Sequence, residues 1–273
     1  MERRAIERAA QLFGQARIDR RFVADLPAEC LPPDEASAYL IQEALYDWLA
    51  GHGLGKVGGY KVGLVSAEMR KSMGGMAKLG VDSPVYGGIV AGAIFPTGSS
   101  VPFDRFIRPY VEGEFAVRIG AEIPVSAAPV SRQSIAAFVS ECVAGIELVD
   151  WRLKYFDFPP PLATLMLADG GSNWGAVTGI PVKDWRQLDI PALKGQMRVN
   201  GRVVGGGKAG DLQGHPFEVL AWLANRLIAR GRTLRAGDVV LLGSVTPSFG
   251  EFGKDAEVVM SWDGLGDVAV TFT

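Results

Sequence analysis

From Val57 to the C-terminus the sequence breaks into short runs of β-branched and aromatic residues, each bounded by glycine or proline, and this texture predicts a mainly β body. The runs are Tyr60 to Val65, Val85 to Val90, Phe115 to Ile119, Gln196 to Val199, Val239 to Leu242, Glu257 to Ser261 and Val268 to Phe272. Two helices are expected among them, one from about Ser131 to Val143 and one from Pro216 to Arg230, the latter closed by Gly231. The chain ahead of Val57 reads differently. Ile6, Ala9, Leu12, Phe13 and Ala16 fall at helical spacing, and Asp34 precedes a second helical stretch, Ala36 to Ala50, that Gly51 and Gly53 stop. The proline-bearing segment Leu26 to Pro33 lies between them. Residues 1–53 therefore read as a small helical lobe and residues 54–273 as a β-rich body, an α+β arrangement rather than alternating βαβ units.

With 273 residues, 48% of them hydrophobic, the chain can bury a sizeable core. A net charge of -2 and only two histidines argue against the basic surface that nucleic-acid or anionic-membrane binding needs, which leaves small molecules as the expected partners. Cys30 and Cys142 stand far apart, outside any C-x-x-C spacing, and read as buried reduced thiols. Met1 to Arg21 has scattered arginines and no continuous apolar stretch, so neither a signal peptide nor a membrane span is predicted, and a cytoplasmic location is expected. Gly205 to Gly207 lack the spacing of a phosphate loop and follow a probable turn at Asn200-Gly201, so a loop or bulge is expected there. Neither a G-x-S-x-G elbow nor an H-E-x-x-H motif occurs.

The chemistry is concentrated in carboxylates. In a strand, period 2 puts Glu112 and Glu114 side by side on one face, although the same pattern also suits a solvated strand. Glu147 changes the weighting because it sits in the apolar run Val143 to Trp151, where an unpaired carboxylate would cost several kcal/mol or take up a proton. A divalent cation compensates such a group of like charges, and oxygen ligands without histidine or thiolate favour Mg2+ or Mn2+. The competing account of Glu147 is a buried ion pair with Arg152 or Lys61. Lys61 is a single lysine in the glycine-flanked strand Gly58 to Leu64; it reads either as a proton or charge donor or as a snorkelling side chain. Ser172 and Asn173, in the glycine-rich loop Asp169 to Gly175, have the chemistry to donate hydrogen bonds to an anion, and turn formation explains that loop equally well. Asp82 taken alone is an ordinary turn residue, and His215 before Pro216 reads as a helix cap.

These pieces in order are Gly59-Tyr60-Lys61-Val62-Gly63-Leu64, Leu79 to Gly87, Glu112-x-Glu114, Gly145 to Asp150, Ala168 to Gly179, and Val199-Asn200-Gly201 through His215-Pro216 and Ala221 to Asn225 on to Gly243-Ser244. The set resembles the fumarylacetoacetate hydrolase superfamily, within it the 2-oxopent-4-enoate hydratase, 2-oxohept-3-ene-dioate hydratase and 4-oxalocrotonate decarboxylase group. The resemblance implies a mixed β-roll body, a homo-oligomer that associates in some cases with a pathway partner enzyme, and a metal held at Glu112, Glu114 and Glu147. It also implies proton handling at Lys61 and Asp82 and substrate contacts at Leu64, Ser172 and Asn173. One departure stands out: related proteins often read Asp-Asn-Ala-Ser where this chain has Asp169-Gly170-Gly171-Ser172, which removes an amide from the loop. The expected activity is metal-dependent hydration of a 2-hydroxydienoate or 2-oxoenoate in aromatic meta-cleavage catabolism. Vinylogous 2-oxo acid decarboxylation, acylpyruvate hydrolysis and a non-catalytic binding subunit are the alternatives.

Overall fold

The structure, a computed structural model, describes residues 1–23, 26–65, 84–154 and 162–273. In chain order its main elements are α1 (Arg3–Asp19), α2 (Glu35–Gly51), β1 (Val57–Gly63), β2 (Val85–Val90), β3 (Ile94–Pro96), β4 (Ser99–Val101), β5 (Pro109–Ile119), α3 (Arg132–Ile135), β6 (Val139–Asp150), α4 (Leu162–Ala168), β7 (Asn173–Thr178), β8 (Lys194–Val199), β9 (Arg202–Lys208), α5 (Pro216–Ile228), β10 (Val239–Ser244), β11 (Glu257–Trp262) and β12 (Gly266–Phe272). The strands form two mixed sheets, a seven-stranded one ordered β2-β1-β10-β5-β6-β7-β3 and a five-stranded one ordered β4-β12-β11-β8-β9, and among the described strands neither closes into a barrel. No described helix is long and apolar enough to cross a membrane.

The two sheets meet across alternate residues of β5. Gly113 and Phe115 face the five-stranded sheet: a Cβ on Gly113 would lie 2.5 Å from Met260 Sδ, and the Phe115 ring meets Trp262 edge-on at 5.6 Å. The side chains between them, Glu112 and Glu114, consequently face the other way. Beneath Glu114 on that second face lies a separate apolar cluster of Ile89, Ala116, Val143, Ala176 and Leu241, all fully buried. The polar site is thus built on a dry, closely packed floor, the kind of support that keeps charged side chains in one geometry.

Helix α1 buries Ala9, Ala10, Phe13 and Ala16, at the spacing one helical face requires, and its Gly14 receives the Trp48 ring of α2 so closely that a Cβ would lie 2.2 Å from Trp48 Cε3. The Asp34 side chain caps α2 by accepting from Ser37 N at 2.7 Å. Gln42, 2% exposed, joins α2 to the body by donating to Leu167 O at 2.6 Å and Tyr86 O at 3.2 Å. His215 caps α5: Phe217 N donates to its Nδ1 at 3.0 Å.

One predicted helix stops early and gives way to a strand. The segment from Ser131 to Val143 is helical only to Ile135, followed by a short 3-10 turn, and from Val139 onward it runs in β6. Ile135, Val139 and Val143 do recur at helical spacing, but β-branched residues suit a pleated surface, and antiparallel pairing with β5 from Pro109↔Asp150 to Ile119↔Val139 satisfies one edge of this stretch, with Cys142 also exchanging backbone hydrogen bonds with Val182 on the other. The Gly205 to Gly207 run lies in edge strand β9, with a register shift against β8 between Met197 and Arg198, so it accompanies a bulge. Asn200 and Gly201 form the preceding hairpin turn, both with positive φ. Cys30 and Cys142 are free and buried.

Candidate active site

Strand pairing assembles the carboxylates. Glu112 of β5 lies directly opposite Glu147 of β6, and Glu114 lies opposite Gly145 on one side and Ser244 of β10 on the other. A Cβ on Gly145 would stand 3.3 Å from Glu114 Cβ and 2.9 Å from Leu241 Cδ2, so glycine there leaves the Glu114 side chain its room. One oxygen from each of Glu112, Glu114 and Glu147 lies within 4.8 Å of the others. Glu114 and Glu147 are each 1% exposed, whereas Glu112 borders the cavity beside them.

Lys61 enters from β1, which pairs in parallel with β10. Its Nζ stands 3.3 Å from Glu147 Oε1, so the ion pair that the sequence offers as one account of Glu147 is present. Arg152 instead pairs with Asp169. Asn173 Nδ2 donates to the same Glu147 oxygen at 2.9 Å, and Gly243 N donates to Glu114 Oε2 at 2.6 Å.

Burial, reinforced by Glu147, pushes the Glu112 carboxyl up to about 7; Lys61 and a hydrogen bond from Ser248 partly oppose this. Burial, then Glu147 and Glu112, drive Glu114 well above the usual carboxylate range. For Lys61 burial works against the charge, but Glu147, Glu112 and Glu114 together outweigh it and hold the ammonium above its ordinary value. Protons and the Lys61 ammonium thus compete with any other cation for these carboxylates.

The site opens into a cavity of about 360 Å3, large enough for a small organic acid. Lys61, Glu112, Ser172, Ser244 and Ser248 give it a polar end, while Val62, Leu64, Val65, Val85, Val149, Trp151 and Met166 form apolar walls. Among the described residues, the buried Ser172 Oγ has no hydrogen-bond partner. Its backbone is left-handed, φ 60°, an arrangement costing a non-glycine residue about 1–2 kcal/mol. The preceding Gly171, φ 66°, passes over Lys61 so closely that a Cβ would lie 2.8 Å from Lys61 Cε. Both observations mark a turn shaped around the site at some local expense.

Of the residues singled out from the sequence, Lys61, Glu112, Glu114, Glu147 and Asn173 come together, and Leu64 and Ser172 line the cavity. Asp82 lies outside the described residues. The sequence reading did not single out Tyr110, Trp151, Met166, Ser244 or Ser248 for this site. Tyr110 carried a usable signal, since it lies two residues before Glu112 and so shares its strand face. For Ser244 and Ser248 the signal is tertiary, because β10 inserts between β1 and β5, far from both in sequence.

Residues 87–273 match the family model described as fumarylacetoacetate (FAA) hydrolase C-terminal, and the chain belongs to that family. It is 31% identical over 274 residues to the 2-keto-4-pentenoate hydratase of Burkholderia vietnamiensis (strain G4 / LMG 22486), covering 98% of each chain. To a 4-oxalocrotonate decarboxylase of Pseudomonas putida it is 29% identical over 237 residues, covering 87% of this chain and 85% of that one. The fold superposes on the structure of 4-oxalocrotonate decarboxylase from Pseudomonas putida G7, complexed with magnesium and adipate, with a TM-score of 0.88 and 25% identity, covering 100% of this chain and 99% of that one.

Proposed function

We propose that this protein is a divalent-metal-dependent hydratase that adds water to a small 2-hydroxydienoate or 2-oxoenoate, in the manner of 2-keto-4-pentenoate hydratase. The observation that carries the reading is the convergence of Glu112, Glu114 and Glu147 beside Lys61 at the polar end of an otherwise apolar cavity. The donor set fits a hard cation: oxygen ligands alone, and three carboxylates against one ammonium, a formal 3 − 1 excess of negative charge that a divalent ion balances. The Ser172 hydroxyl fits as well, since a buried donor with no acceptor among the described residues suits a ligand oxygen.

In this reading Glu112, Glu114 and Glu147 hold Mg2+ or Mn2+, which when bound supplies Lewis-acid stabilisation of negative charge on the oxygens of the substrate. Lys61 Nζ presents a fixed ammonium to the carboxylate or enolate and holds a proton there during tautomerisation. Ser172 donates to a substrate oxygen, Leu64 packs against the carbon chain, and Asp82 assists the movement of protons. The apolar walls exclude bulk water from the remainder of the chain and strengthen each electrostatic contact at the polar end. A cytoplasmic location and assembly as a homo-oligomer belong to the same proposal.

Decarboxylation of a 2-oxo-3-enedioate is the second reading, favoured by the end-to-end superposition on a 4-oxalocrotonate decarboxylase. Mass analysis of products from 2-hydroxypenta-2,4-dienoate and from a 2-oxo-3-enedioate, each with and without Mn2+, separates the two. A product one water heavier, formed only with metal, is expected; release of carbon dioxide from the second substrate without hydration of the first would establish the decarboxylase instead.

Protonation and metal compete for the same oxygens, which gives a signed pH dependence. Glu112 titrates near 7 in the folded metal-free chain against an ordinary value of 4.5, so its contribution to stability is present below pH 4.5 and is lost as pH rises through 7. Lys61 stays charged across that window because its value is raised from 10.5. His215, held below 6.5 mainly by burial, acts in the opposite sense at low pH, so the comparison is made with and without metal. Saturating Mn2+ is expected to raise Tm more at pH 8 than at pH 5. Equal increments would contradict a carboxylate site.

A further inference from the structure

Glu147 is held by a train of contacts that begins at a buried arginine the reaction itself does not use. Arg152 and Asp169 are each 1% exposed at their side chains; Nε donates to Oδ1 at 3.0 Å and Nη2 lies 2.9 Å from Oδ2. Charge compensation alone would need nothing more. Nη2 nevertheless also donates to two backbone oxygens, Asp169 O at 3.1 Å and Asn173 O at 3.0 Å. Those carbonyls flank Gly170, Gly171 and Ser172, three successive residues with positive φ of 75°, 66° and 60°. A single guanidinium therefore spans both ends of a left-handed turn. The turn presents the Ser172 hydroxyl at the cavity and starts β7 with Asn173, whose Nδ2 reaches Glu147 Oε1. Lys61 contacts that same oxygen, so the carboxylate is oriented from one edge.

We propose that Arg152 is a positioning residue for the metal site, setting the orientation of Glu147 through Asn173 and aiming Ser172 through the same clamped turn. The inference rests on the reading of Glu112, Glu114 and Glu147 as metal ligands. Arginine suits the role through its planar fork, which grips a carboxylate and two carbonyls at once; lysine carries the charge without that geometry. Residues supporting a ligand in this way typically govern affinity by about 10–100-fold.

A double-mutant cycle on the full-length protein tests this, with Mn2+ affinity measured by electron paramagnetic resonance of the free ion and folding followed by Tm. Arg152→Lys and Asn173→Ala are each expected to weaken Mn2+ binding by about 10-fold or more. The double variant is expected to bind no more weakly than the poorer single variant, because both changes cut one train of contacts. A merely structural Arg152 would lower Tm, and its loss of affinity would multiply with that of Asn173→Ala, overturning the proposal; so would an unaltered affinity in Arg152→Lys. Should Arg152→Lys fail to fold, Asp169→Asn, which loosens the fork while keeping its volume, takes its place with the same expectations. Wild-type protein that binds no Mn2+ would overturn the metal reading itself, a result separate from wild-type binding that Arg152→Lys leaves untouched.

Discussion

Glu147→Gln is expected to lower turnover on the order of 10³-fold and to weaken Mn2+ binding by at least about 100-fold, with the protein still folded. The amide keeps the volume of the carboxylate but removes the negative charge from the centre of the site. Two opposing effects keep the stability change small. Glutamine takes away the buried partner of Lys61, a type of loss that costs about 3–5 kcal/mol when no other partner exists. Glu112 and Glu114 also attract Lys61, however, and both are relieved of repulsion from Glu147. Titration calorimetry with Mn2+ alongside steady-state turnover checks this, and a variant that retained affinity and turnover would remove Glu147 from the ligand set.

Lys61→Met separates metal binding from chemistry. The substitution keeps a flexible chain of similar length beneath Gly171 but deletes the ammonium, so turnover is expected to fall about 10²–10⁴-fold, the range for loss of a positioned proton donor. Mn2+ affinity is expected to hold or tighten, because the nearest cation competing for Glu147 is gone. Loss of Mn2+ binding with turnover per bound metal unchanged would show that Lys61 only organises the carboxylates. Measuring both quantities on one preparation decides between the two roles.

Local pattern carried much of this site and register carried the rest. Period 2 alone puts Glu112 and Glu114 on one face, and an apolar run around Glu147 announces a charge that needs a partner. That Glu147 sits opposite Glu112 is not local: it depends on how β6 is set against β5, across a long connection and a register shift at Arg118/Ile119. The same strand was also the one whose beginning read as a helix, because Ile135, Val139 and Val143 satisfy the helical spacing until pairing with β5 overrides it. Arg152 illustrates a further limit. The sequence offers Arg152 and Lys61 alike as the partner of Glu147; Lys61 takes that place from another strand, and Arg152 serves the turn after Asp169. Pattern reveals that a buried charge has a partner, while topology decides which one.

The measurement that bears most directly on the central claim is anomalous diffraction at the manganese edge from crystals soaked in Mn2+. The account predicts one ion bound by carboxylate oxygens of Glu112, Glu114 and Glu147 at about 2.1–2.2 Å, at the polar end of the cavity. An ion bound elsewhere, with Lys61 and protons still neutralising these carboxylates, would contradict it.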